Sequence, residues 1–216
     1  MKICVMRLRL CPAVLALPVV LATGCGEGAQ GRTCPDGTGK DLSGRAVAGV
    51  ELWQKTLRCV NLEGSALTGS VSEANLSRGN LFGAQLAEVS LESVDLRDAD
   101  LRRARLASAT LGEVDLRGAD LGTAVLDESL LTNVSFEGAK LRGATLRSVT
   151  LTNVDFGDAD LSDADLAGAT LSDTTLRGAR LDGADLSHTS WDNVVCPDGT
   201  KSVGTRSCAG HLVPAS

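Results

Sequence analysis

The chain has 216 residues with 27 acidic and 21 basic side chains, a formal net charge of −6, and three Phe, two Trp and no Tyr. Stacking on sugars or bases is therefore thinly supplied, and two histidines, His188 and His211, leave little material for a catalytic constellation. The first 24 residues stand apart. Lys2, Arg7 and Arg9 form a basic start, followed by an apolar run from Leu10 to Ala22 that Pro12 and Pro18 interrupt. That run is shorter than the ~20 apolar residues a spanning helix needs, but it has the build of a signal peptide over residues 1–24. Removing it leaves 27 acidic against 18 basic residues, a formal charge of −9.

The leader ends in Leu21-Ala22-Thr23-Gly24-Cys25. This resembles a bacterial lipobox, with small residues directly before a cysteine and Ala22 where the family prefers Leu. The resemblance implies that Cys25 becomes the first mature residue and carries diacylglycerol. The protein is then expected in the cell envelope, lipid-anchored to a bacterial membrane and facing away from the cytoplasm. Residues 25–33 read as a short flexible tether, and residues 34–59, bounded by Cys34 and Cys59, as an N-terminal cap.

From there a five-residue beat takes over and defines a segment of residues 57–191. Leu57, Leu62 and Leu67 begin it, although Leu57 follows Lys55 and lacks a small partner. The gap from Leu67 to Leu76 is nine rather than ten, which reads as one residue lost at a corner with Val71 standing in for a core leucine. From Leu76 to Trp191, Leu, Phe or Trp then recurs in 24 consecutive pentapeptides, always two residues after Ala, Gly, Val, Ser or Thr. A step of five rotates a helix by about 140°, so no apolar stripe forms. In a flat strand the step is odd, and successive leucines would face opposite ways. Only a chain that turns after each pentapeptide buries them all, which makes a solenoid.

A slower period gives the number of sides. Val94, Val114, Val134 and Val154 recur every twenty residues, as do Ala99, Ala119, Ala139 and Ala159. Ser90, Thr110, Thr150, Thr170 and Ser190 share another column, and Asn133, Asn153 and Asn193 a third. Four sides per turn follow. The expected core columns include Leu96, Leu101, Leu106, Leu111, Leu116 and Leu121 beside those four valines.

The motif Ala-Asp-Leu-x-x, plain at Ala99-Asp100-Leu101 and Ala119-Asp120-Leu121, resembles the pentapeptide-repeat family. The resemblance implies an all-β fold, a right-handed quadrilateral β-helix of about six to seven coils. Cytoplasmic members of that family imitate B-form DNA and bind gyrase, so an acidic rod acting on a type II topoisomerase is the alternative reading. Arg97, Arg102, Arg103, Arg105 and Arg117 interrupt the acidic columns and weigh against it, as does export. Asp before Leu reads instead as a residue that hydrogen-bonds the adjacent turn. The arginines themselves are a candidate contact for lipid headgroups or anionic polymers.

Residues 192–216 read as a C-terminal cap and tail. Cys196-Pro197-Asp198-Gly199-Thr200 repeats the pentamer Cys34-Pro35-Asp36-Gly37-Thr38, a tight-turn sequence. Cys4 and Cys11 leave with the leader and lipid consumes Cys25. Cys34, Cys59, Cys196 and Cys208 remain, an even set suited to disulfides. Local pairs, Cys34–Cys59 and Cys196–Cys208, are favoured because a cross pair must bridge the rod's length. Both staples would cap open ends, with Trp53 and Trp191 covering the terminal leucines. No metal, cofactor, catalytic residue or nucleic-acid partner is expected. The expected role is a non-enzymatic binding or structural module for a protein or envelope polymer, with a homodimer through an end coil as a further option.

Overall fold

A chain that must bury one leucine per pentapeptide has to change direction after each. The computed structural model, which describes residues 39–202 and Cys208, shows that it does so in coils of four sides. Contacts divide the chain into residues 1–30 and residues 31–216, and every described residue lies in the second unit. Each side pairs in parallel with the side twenty residues on: Asp95 with Asp115, Asp100 with Asp120, Arg105 with Val125, and Thr110 with Leu130. The result is an all-β parallel solenoid of about seven turns. At ~4.8 Å per stacked coil its seven-stranded sheet extends roughly 30 Å along the axis.

One side makes a strand in every coil from Ser70 onward. Strands β1 (Ala46–Ala48) and β2 (Ala66–Thr68) form a two-stranded sheet near the start. Strands β3 (Ser70–Ser72), β4 (Ser90–Glu92), β5 (Thr110–Gly112), β6 (Leu130–Thr132), β7 (Thr150–Thr152), β8 (Thr170–Ser172) and β9 (Ser190–Asp192) stack into one parallel sheet. The other three sides are single bridges between turns, except where β1 and β2 pair at the start of the side that continues through Gln85 and Arg105.

The interior is a stack of leucine rungs. Leu96, Leu101, Leu106, Leu111, Leu116 and Leu121 are each at most 1% exposed, and Val94, Val114, Val134 and Val154 at most 2%. Phe136 and Phe156 occupy successive rungs of one column, their rings stacked at 4.9 Å.

The corners explain why valine predominates on one column. On three sides the corner closes with an i→i+3 hydrogen bond, as from Ala99 N–H to Leu96 C=O, Ala104 to Leu101 and Ala109 to Leu106. The corner that follows each strand carries no such bond among the described residues, at Leu91–Val94, Leu111–Val114, Leu131–Val134 or Leu151–Val154. An open corner leaves room for the two extra methyl groups of valine. The closed corners mostly take alanine, and where Val89 and Val149 stand in them the closing bond lengthens to 3.3 Å. At every corner from Leu52 to Trp191 the residue two after the core position has positive φ, for example Asp98 at 57°, Arg103 at 59° and Asn153 at 54°. That is the left-handed region in which Asn, Asp and Gly are enriched. Gly118, Gly138, Gly143, Gly178 and Gly183 all stand there.

The ladder starts upstream of Leu57, inside the segment read as a cap. Leu42, Val47 and Leu52 continue the five-residue beat and are buried, while Asp41 pairs with Asn61 and β1 with β2. The lost residue falls between Leu67 and Val71, where Gly69 takes φ 77°. Val71 is buried and pairs with Leu91, so it fills a leucine rung. Partners are nineteen residues apart across this slip (Thr56 with Asn75, Asn61 with Asn80, Ala66 with Gln85) and twenty apart above it.

At the far end the chain reverses. Gly199 N–H donates to Cys196 C=O and Cys196 N–H to Thr200 C=O, closing a hairpin that sets Val195 antiparallel to Lys201. Pro197 and Asp198 make the turn and Gly199 exits it at φ 85°. Asp198 accepts from both the N–H and the hydroxyl of Thr200. A Cys196–Cys208 disulfide ties the following segment to this hairpin, and both cysteines are buried. Cys59 is also disulfide-bonded. Cys34, Cys25 and the leader lie outside the described residues, as does His211.

Candidate functional site

Outward positions on the strand side fall into three ranks, one residue of each per coil. The first runs Glu51, Ser70, Ser90, Thr110, Leu130, Thr150, Thr170, Ser190. The second runs Trp53, Ser72, Glu92, Gly112, Thr132, Thr152, Ser172, Asp192, and the third, at the corner, Gln54, Glu73, Ser93, Glu113, Asn133, Asn153, Asp173, Asn193. Gln54 fixes the first coil in register, since its N–H donates to Ser72 C=O and its side-chain amide to the Glu73 carboxylate at 2.8 Å. None of these positions holds Lys or Arg. The third rank is tied along the axis by neutral donors: Asn153 to Asn133, Asn193 to Asp173, and Ser93 to Glu113.

The other three sides are built differently. On them Asp before the core leucine accepts the N–H two residues on, as Asp95 does from Arg97 and Asp120 from Gly122. Because a core leucine separates two outward neighbours, an Asp-Leu-Arg triplet sets acid and base on one face. Arg97 thus forks onto Asp95 at 2.9 and 2.7 Å, Arg102 onto Asp100 at 2.8 and 2.6 Å, and Arg117 onto Asp115 at 2.9 and 2.6 Å. The Arg97 hydrogen bonds hold the Asp95 carboxyl below its ordinary range against the opposing effect of burial. Burial also works to raise Asp100, and Arg102 outweighs it. Every ion pair between described residues lies on these three sides. The five arginines are therefore not an open basic patch: three are forked onto carboxylates, and the Arg102 and Arg103 guanidiniums both sit over the Phe82 ring, at 5.5 and 5.6 Å.

All the large apolar side chains that stand exposed among the described residues belong to the strand side or its lower edge: Val50 at 73%, Trp53 at 52% and Leu130 at 44%. Trp191 lies over its coil, 7% exposed, with its indole N–H donating to Thr189. Trp53 does the opposite of covering a terminal leucine. Leu52 takes the core rung, so its neighbour points outward. The signal was the spacing Leu42, Val47, Leu52, which fixes the frame of the first coil. Around Trp53 lies a shallow hollow of about 470 Å³, lined by Val50, Thr68, Ser70 and Ser72 among others. His188 is exposed at the corner after Leu186, on a turn side. No group of three or more His, Cys, Asp or Glu among the described residues is arranged to hold a metal ion.

A family model described as pentapeptide repeats matches in eight copies between residues 72 and 190. Among solved structures, HetL, a pentapeptide repeat protein involved in heterocyst differentiation regulation in the cyanobacterium Nostoc sp. strain PCC 7120, is 22% identical, with 76% of this chain and 92% of that one covered and a TM-score of 0.31. QnrB1, a plasmid-mediated fluoroquinolone resistance protein, is 16% identical over 68% of this chain and 89% of its own, with a TM-score of 0.35. A pentapeptide repeat protein from the Arabidopsis thaliana thylakoid lumen is 23% identical over 56% and 66%, with a TM-score of 0.28. The comparison with curated proteins finds no match. With the repeat model spanning more than half of its length and the five-residue beat continuous through its core, the chain belongs to the pentapeptide-repeat family.

Proposed function

We propose that this protein is a non-enzymatic binding module, held by lipid on Cys25 at a bacterial membrane and facing away from the cytoplasm, that offers the strand side of its solenoid to an envelope partner. Pentapeptide-repeat proteins are generally structural or binding modules rather than enzymes. The observation that carries this reading is the inequality of the four sides. Two carry Asp–Arg forks and all three carry turn-capping aspartates, whereas the fourth is flat, free of Lys and Arg, and bears the exposed apolar side chains. The anchor rests on the leader: basic residues, a short apolar run, and a cysteine after Thr23-Gly24. No helix among the described residues is long and apolar enough to cross a membrane. Intact mass after expression in a bacterial host tests the anchor. Diacylglycerol on a chain starting at Cys25 is expected, and a mass that begins at Met1 would overturn it. Cys25→Ser should move the protein from the membrane to the soluble fraction. Should the chain instead start at Met1, inhibition of gyrase supercoiling at micromolar protein becomes the decisive assay for the DNA-mimic reading.

A further inference from the structure

The strand side differs from an ordinary protein-docking patch in its chemistry. The Ser and Thr hydroxyls of its first two ranks make no hydrogen bond to protein groups among the described residues, so each keeps a donor and an acceptor for an outside partner. Serine is depleted in protein–protein interfaces, and Ser and Thr are scarce among their hot spots. Here they hold ten of the sixteen positions of the first two ranks. The rows are also periodic, one residue per rank per coil, at ~4.8 Å. A periodic wall of hydroxyls complements a periodic polyol, and that rise is comparable to the length of one pyranose with its glycosidic oxygen.

Three further features narrow the ligand. An exposed indole at Trp53, at the lower end of the second rank, is the platform on which the C–H face of a sugar ring packs, its apolar body matched by Val50 beside it. Gln54 and Glu73, bonded to each other at 2.8 Å, set a planar amide and a carboxylate next to that platform. Absence of any Lys or Arg from the three ranks argues against phosphate- or sulfate-bearing polymers, which a face carrying Glu92, Glu113 and Asp173 repels.

We infer that the strand side binds a neutral or amine-bearing polysaccharide chain laid along the solenoid axis, with one sugar packed on Trp53 and the following ones hydrogen-bonded to the Ser and Thr ranks. This names the partner class of the module proposed above and rests on that reading. A second copy of the chain is disfavoured as occupant, because face-to-face pairing would oppose carboxylates with no cation between them.

The test uses the full chain purified in detergent, with the soluble hexamers of N-acetylglucosamine and of glucosamine as neutral and amine-bearing probes, dextran sulfate as a polyanion and a polylysine peptide as a cationic polypeptide. Binding to at least one of the two hexamers, but not to dextran sulfate, is expected. Trp53→Ala should weaken it by roughly tenfold or more, as loss of an aromatic anchor does, and Trp53→Phe should restore most of it. Both variants should keep the wild-type far-UV spectrum and melting temperature because the ring is half exposed. Failure of the folded protein to bind either hexamer, or equal binding by Trp53→Ala, overturns the inference. Binding to polylysine alone also overturns it and assigns the face to a basic protein. None of these outcomes depends on Cys25, so a failed anchor and a failed glycan site give different results.

Discussion

The strand side and the three turn sides are made from the same pentapeptide and end as opposite surfaces. On the turn sides each Asp before a core leucine accepts the N–H two residues on, and where that residue is Arg its guanidinium is drawn down beside the carboxylate. On the strand side the outward residues meet only their counterparts one coil away, through backbone pairing and a few neutral side-chain bonds. Satisfying side chains locally spends their capacity to bind anything else. The side that is regular in its backbone is the one left chemically available.

Several substitutions would break or sharpen this contrast. The largest effect belongs to the shared interior: Leu111→Asp puts an unpaired carboxylate on a rung with no exposure and should cost at least ~3–5 kcal/mol, seen as loss of the cooperative melt by circular dichroism. Next comes the end of the ladder. Opening the twelve-residue Cys196–Cys208 separation by a double change to Ser should cost about 3 kcal/mol, with hydrogen exchange rising first at Val195 and Lys201 rather than at β5 or β6. Corner geometry distinguishes the sides directly. Ala104→Leu at a closed corner should cost ~1–3 kcal/mol by overpacking. Thr174→Val at the open corner should stay within about 1 kcal/mol, because that column already holds valine and only the bond from Thr174 to Ser172 C=O is lost. Urea midpoints of both would settle it.

Smaller still is the acid response of the turn sides. Asp95, Asp100 and Asp160 have lowered carboxyl pKa values in the fold. Their contribution is therefore complete above the unfolded value of about 3.9 and is lost as pH falls below it. With guanidiniums half exposed, each fork contributes no more than about 1 kcal/mol. The stability difference between wild type and Arg97→Gln should accordingly be present at neutral pH and vanish at acid pH. Smallest is Leu130→Asn on the strand side, which should leave stability within about 0.5 kcal/mol while making the first rank wholly polar.

Much of this was legible in the residues, and the remainder was hidden for physical reasons. A step of five, with columns twenty apart, is enough to specify four sides and their interior. The valine column was visible, but its cause, a corner that omits its i→i+3 bond, is a backbone property no side chain advertises. The arginines looked like a patch because charge was counted along the chain. Asp-Leu-Arg is instead a pair folded over one core leucine, which becomes evident only when the leucine is known to point inward. Trp53 was placed wrongly because the frame of its coil is set by Leu42, Val47 and Leu52, and Leu42 and Val47 follow Lys40 and Arg45 rather than the family's small-residue partner. The Ser–Thr column was in plain view; its lone Leu130 and its freedom from bases become meaningful only once those positions share a face.

The missing residue between Leu67 and Val71 is, in the vocabulary of crystals, a dislocation. A stack of identical layers can absorb such a fault at one corner, because each layer senses only those immediately above and below. Here the layers beneath it are offset by one position. The seven-stranded sheet stops at β3, and the layer under it carries a 3₁₀ turn, Gly49–Glu51, where a strand would have been. Val50 and Trp53 stand out from the wall at that level, and the hollow beside them is the room left by the fault. Restoring one residue after Thr68 should heal the stack, and in doing so erase the one irregular feature of an otherwise uniform wall.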